Sequence, residues 1–116
     1  MRSYCIDEIA PAELERIVRR LDSMDLSAGL EGLYWLPVPA NLLTPIRKEH
    51  ESECGPYVLA LEILDDAVRL ELLVRARNRL RCDCVAYAEH DLVSHMIAYV
   101  HALLEGQPVG AGSSRP

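Results

Sequence analysis

Apolar and polar positions alternate most regularly in the stretch YVLALEILDDAVRLELLVRARNRLRCDCVAYA, residues 57–88. A two-residue hairpin turn at Asp65-Asp66 sets Ile63 opposite Val68, Leu61 opposite Leu70, Leu59 opposite Leu72 and Tyr57 opposite Val74. On the other face Glu62 then meets Arg69, an opposite-charge cross-strand pair. A three-residue loop at Arg77-Asn78-Arg79 continues the pattern, with Ala76 opposite Leu80, Val74 opposite Cys82, Leu72 opposite Cys84 and Leu70 opposite Ala86. Both hairpins send their apolar set to one face, an agreement that a one-residue slip would destroy. The pattern predicts a three-strand antiparallel meander over residues 57–88.

Helical spacing flanks the meander. Leu14, Ile17, Val18, Leu21 and Met24 recur every three or four residues behind Pro11, which suits a first helical turn. A second helix is predicted over residues 89–104, with Leu92, Val93, Met96, Ile97, Val100, Leu103 and Leu104 on its apolar side and Gly106 as its stop. Tyr99, Ala98 and Ala102 widen that side, which points to burial against a second subunit. GLYWLPVP reads as a strand that Pro37 and Pro39 confine to a sheet edge. Residues 39–56 read as a long loop with a helical turn around 41–43. The fold class is therefore α+β: an antiparallel sheet of three to four strands with an N-terminal and a C-terminal helix on one face. Residues 1–105 form a single domain, and the Gly-, Pro- and Ser-rich tail 106–116 is expected to be disordered.

Composition narrows the function classes. A chain of 116 residues has the length of one ordinary domain, and half of its residues are apolar. Its net charge of −6 makes nucleic acid an unlikely main partner, because phosphate binding draws on excess Lys and Arg. The N-terminus lacks a signal-peptide core, and the most apolar run, LVSHMIAYVHALL, is too short to span a bilayer. The expectation is a cytoplasmic protein with reduced thiols and no membrane contact.

Candidate chemistry gathers at two places. His50, Cys54, Cys82 and Cys84 form a Cys₃His set, the ligand types that hold zinc in a tetrahedral site. The predicted register separates them, however: it places Cys54 two strands from Cys82, about 10 Å in the pairing direction. Cysteine is also among the most buried residue types, so core packing is the primary reading and zinc the alternative. A helical conformation would bring His50 and Cys54 to one face at their four-residue spacing. Glu49, Glu51 and Glu53 around Cys54 disfavour a nucleophilic thiolate. His90, His95 and His101 are spaced onto different helix faces.

The second cluster is Arg75, Arg77, Arg79 and Arg81. The register sets Arg75 against Arg81, an unfavourable pairing unless an anion or an acidic partner compensates. Val58, Leu73 and Val85 lie on the same outer face. No catalytic motif such as HExxH or a phosphate-binding glycine loop is present. The expectation is a small acidic non-enzymatic module for protein binding or assembly, acting as a homodimer with no cofactor. The alternatives are a metal- or thiol-dependent activity at His50, Cys54, Cys82 and Cys84, and an anion- or nucleotide-binding site on the arginine hairpin 75–81.

Overall fold

The computed structural model describes residues 2–79 and 82–109. Six strands and three α-helices follow in the order β1 (Ser3–Ile6), α1 (Pro11–Ser23), β2 (Leu33–Pro37), α2 (Pro45–Cys54), β3 (Tyr57–Ile63), β4 (Val68–Glu71), β5 (Leu73–Ala76), β6 (Ala86–Tyr87) and α3 (His90–Glu105). The fold is α+β with an antiparallel sheet. None of the described helices is long and apolar enough to cross a membrane.

The sheet has six strands but only four rows. β2 pairs with β3 along one edge, while β4 and β5 share its other edge. β4 and β5 are one bent strand interrupted at Leu72. β1 pairs with β4 and β6 pairs with β5, so these two short strands share the fourth row. Leu72 marks the junction: its N–H donates to the Arg2 carbonyl and its own carbonyl accepts from Ala88. Segment 26–28 covers the outer edge of β2 through bonds from Trp35 to Leu26 and from Ala28 to Leu33.

The first hairpin forms as its pattern predicts. Leu61 pairs with Leu70, Glu62 with Arg69 and Ile63 with Val68 around the Asp65-Asp66 turn. Beyond Leu70 the register changes. Tyr57 pairs with Ala76 rather than Val74, because Glu71 and Leu72 add two residues to one side of the ladder. An even insertion preserves side-chain parity, so Val74 and Ala76 still face the core.

The second hairpin differs more. Leu73 pairs with Tyr87 and Val74 with Ala86, which moves the returning strand by four residues from the predicted Val74–Cys82 pairing. Cys82 and Cys84 therefore lie beyond the end of β5, in the turn that leads into β6. The predicted long loop over 39–56 is also corrected. A short 3₁₀ turn, Ala40–Leu42, precedes α2, whose N-terminus is capped by Thr44 and begins with Pro45.

Leu14, Ile17 and Leu21 from α1 and Leu92, Met96, Val100 and Leu103 from α3 pack with Leu36, Leu59, Leu61, Leu70 and Val74 from the sheet. Arg20 of α1 donates to the Ala102 carbonyl of α3 at 3.3 Å. Tyr99, which contributed to the wide apolar side of α3, is buried within the chain. Gly106 closes that helix at φ 71°, a left-handed conformation that suits glycine.

Candidate metal centre

α2 brings His50 and Cys54 together. Their four-residue spacing puts both side chains on one face of the helix. The turn before β6 supplies Cys82 and Cys84 from the other side. One ligand atom from each of His50, Cys54, Cys82 and Cys84 lies within 4.8 Å of the other three. For comparison, a tetrahedral zinc site with bonds of about 2.3 Å to sulfur and 2.0–2.1 Å to nitrogen has edges of roughly 3.5–3.8 Å. The separations bracket that range: all lie within 4.8 Å, and the His50 Nδ1–Cys82 sulfur distance is 3.0 Å.

This convergence overturns the separation expected from the sequence. The four-residue shift of β6 takes the cysteines off the strand, and the turn folds back over the C-terminal end of α2. Asn78 fastens this arrangement, donating from its backbone to the Cys54 carbonyl at 3.1 Å and from its side chain to the Gly55 carbonyl. Gly55 is held close as well, since a Cβ there would lie 2.8 Å from the Glu51 carbonyl oxygen. The two readings of the cysteines are compatible: Cys54 and Cys84 are buried in the core cluster, and Cys82 is half-buried against it.

The site has a closed and an open side. Cys54 and Cys84 are each 1% exposed, whereas His50 and Cys82 reach intermediate exposure. The His50 Nδ1 lies 3.0 Å from the Cys82 sulfur. The backbone N–H of Cys84, the Cys84 side chain and His50 together pull the Cys82 thiol down to about 6. In turn, the hydrogen bond to Cys82 raises His50 above the ordinary histidine range. Burial, followed by the neighbouring thiols, pushes Cys54 up to about 12. Without a metal the open side thus favours the Cys82 thiolate near neutral pH, whereas Cys54 on the closed side stays a thiol. Tyr57, which is also buried, is raised above the usual tyrosine range chiefly by desolvation.

Arg47 and Tyr57 complete the surroundings, and sequence reasoning missed both. The Arg47 side chain is 2% exposed. Its Nε donates to the Cys84 carbonyl at 3.0 Å, and its two terminal nitrogens donate to Glu89 at 2.8 Å and to the Ala86 carbonyl at 3.3 Å. The Tyr57 hydroxyl donates to the Arg47 carbonyl at 2.8 Å. The available signal was Thr44-Pro45, an N-cap followed by a first-turn proline, which marks a helix that the sparse apolar residues of the segment conceal.

Arg75 and Arg77 of the second cluster make contacts of their own. Arg75 is exposed and makes a forked contact with Glu71 at 2.8 and 3.0 Å. The Arg77 guanidinium lies 5.9 Å from the Trp35 ring centroid. Arg79 is exposed, and Arg81 lies outside the described residues. The β5–β6 register pairs Leu73 with Tyr87 and Val74 with Ala86, and the expected Arg75–Arg81 opposition falls on a residue outside the described ones. Comparison of the chain with protein-family models, with curated proteins and with solved structures returned no match.

Proposed function

We propose that this protein is a small metal-stabilised binding domain in which His50, Cys54, Cys82 and Cys84 hold one zinc ion in a structural role. The observation that carries the reading is the convergence of four soft or borderline ligand atoms, from a helix and a distant turn, within 4.8 Å. Zinc matches this donor set in ligand type and number. Four protein ligands fill a tetrahedral shell and leave no position for substrate, which favours a structural over a catalytic ion. The metal would tie the C-terminal end of α2 to the turn before β6, joining segments that otherwise meet through Arg47 and Asn78.

Binding belongs on the outer sheet face. Trp35 borders three separate hollows there, with Val58, Arg75, Arg77 and Val85 among their walls. A mixed apolar and charged surface of this kind suits a protein partner.

Elemental analysis of the purified full-length chain tests the metal reading. The expected result is one zinc per chain, lost in the Cys54→Ser and Cys84→Ser variants. Cobalt(II) substitution should give the visible absorption of a tetrahedral site with thiolate charge-transfer bands. A wild-type protein that takes up neither ion at neutral pH overturns the reading.

A further inference from the structure

Arg47 is the one charged side chain buried in the core among the described residues. It lies three residues before His50 and seven before Cys54, on the same face of α2 as both. Arginine is a cationic, donor-only side chain. A permanent positive charge so placed is costly unless it is paired and hydrogen-bonded. Glu89 supplies one partner, but that carboxylate is 42% exposed and leans towards solvent. The other two contacts are neutral carbonyls, of Cys84 and Ala86.

The proposed metal centre supplies what is missing. Three thiolates and a neutral imidazole around a divalent ion leave one net negative charge, and Arg47 grips the backbone of one of the ligands. We propose that Arg47 is the positioning and charge-balancing residue of the metal centre, and that it favours a divalent ion held by three thiolates. The inference rests on the metal reading above. The fork fixes the Cys84 carbonyl relative to α2, and with it the sulfur relative to His50 and Cys54. A monovalent soft ion such as copper(I) leaves two net negative charges on the same ligands, of which one arginine offsets only half. Hydrogen-bonded groups behind the ligands affect metal affinity in this way, typically by about 10–100-fold.

The test uses the full-length chain and four variants: Arg47→Met, Arg47→Lys, Glu89→Gln and Leu36→Ala. Zinc affinity is read by competition with a chromophoric chelator, and site geometry by cobalt(II) absorption. Arg47→Met should weaken zinc binding by about 10–100-fold and shift the cobalt(II) bands. Arg47→Lys keeps the charge and loses the fork, so it should recover part of the affinity without restoring the wild-type spectrum. Glu89→Gln leaves the guanidinium charge less neutralised and should bind zinc at least as tightly as wild type. Leu36→Ala removes a core contact on β2 and should lower stability while leaving the zinc affinity of the folded protein unchanged.

Folded Arg47→Met with zinc affinity within about twofold of wild type overturns the proposal. An equal affinity loss in Leu36→Ala also overturns it, since the effect would then be one of general stability. Where Arg47→Met does not fold, Arg47→Lys decides: wild-type affinity together with a wild-type spectrum overturns the proposal. Failure of the metal reading is distinguishable, because it shows in the wild-type protein alone, which would then bind neither zinc nor cobalt(II).

Discussion

The two ends of the sheet use arginine in opposite ways. On the outer face Arg69 pairs with Glu62 and Arg75 with Glu71, while Arg77 lies over Trp35 and Arg2 over Tyr87. These guanidinium groups are reachable by water, and each finds a carboxylate or an aromatic ring within the chain. At the metal pole Arg47 is buried, and two of its three partners are backbone carbonyls. Water screens the first kind of contact and replaces it cheaply when it breaks. The Arg47–Cys84 contact is buried, so loss of Arg47 strands the Cys84 carbonyl away from water. Crowding of arginines in the sequence therefore does not locate the energetically dominant one. On the outer face compensation comes first from within the chain; in the core a single arginine organises a turn.

The largest expected contrast lies within the metal pole itself, between its open and closed sides. In metal-free protein Cys82 is drawn down to about 6, while Cys54 is pushed up to about 12. The thiolate is the form that reacts, and it predominates above the pKa of the group. Cys82 alkylation should rise as pH increases through about 6 and level off near neutrality, whereas Cys54 should stay inert there. At pH 7 their rates should differ by about a hundredfold or more, after allowing for the weaker nucleophilicity of a low-pKa thiol. Peptide mass spectrometry after timed iodoacetamide pulses measures both sites. Comparable rates would erase the distinction between the two sides.

Stability gives the next largest contrast. Arg47→Met leaves the buried Cys84 carbonyl without its donor, and a buried unsatisfied group costs about 1–3 kcal/mol. A loss of roughly 2 kcal/mol is expected in urea unfolding of metal-free protein, with the unfolding slope unchanged. A loss below about 1 kcal/mol would place Arg47 with the surface arginines.

Legibility in the sequence followed the kind of side chain that faces inward. The first hairpin could be placed because Leu61, Ile63, Val68 and Leu70 alternate cleanly and Asp65-Asp66 marks the turn. α1 and α3 could be placed because their buried faces are leucine, isoleucine and methionine at helical spacing. α2 was hidden because its buried residues are Arg47 and Cys54, which no hydrophobic periodicity reports. The β6 register was hidden for a related reason. Arg47 takes the carbonyls of Cys84 and Ala86 at the outer edge of that row, a demand invisible to an apolar pattern. Parity survived both register changes because each shift was even. The cysteines pack on the core from a turn rather than from a strand, so parity does not govern them and their neighbours in space differ from those expected.

The smallest expected effect belongs to the most conspicuous feature of the sequence. Arg75→Gln removes the forked contact with Glu71, in which the arginine side chain is 44% exposed and the glutamate 16%. An exposed ion pair is worth about 0–1 kcal/mol, and water can solvate the freed carboxylate from the open side. Urea unfolding should show a loss under about 1 kcal/mol, smaller still in high salt because the contact is screened. Zinc affinity should not change, since among the described residues no hydrogen bond links this pair to His50, Cys54, Cys82 or Cys84. A loss as large as that of Arg47→Met would mean that Glu71 is effectively buried once its partner leaves. Burial would then no longer separate the two classes of arginine.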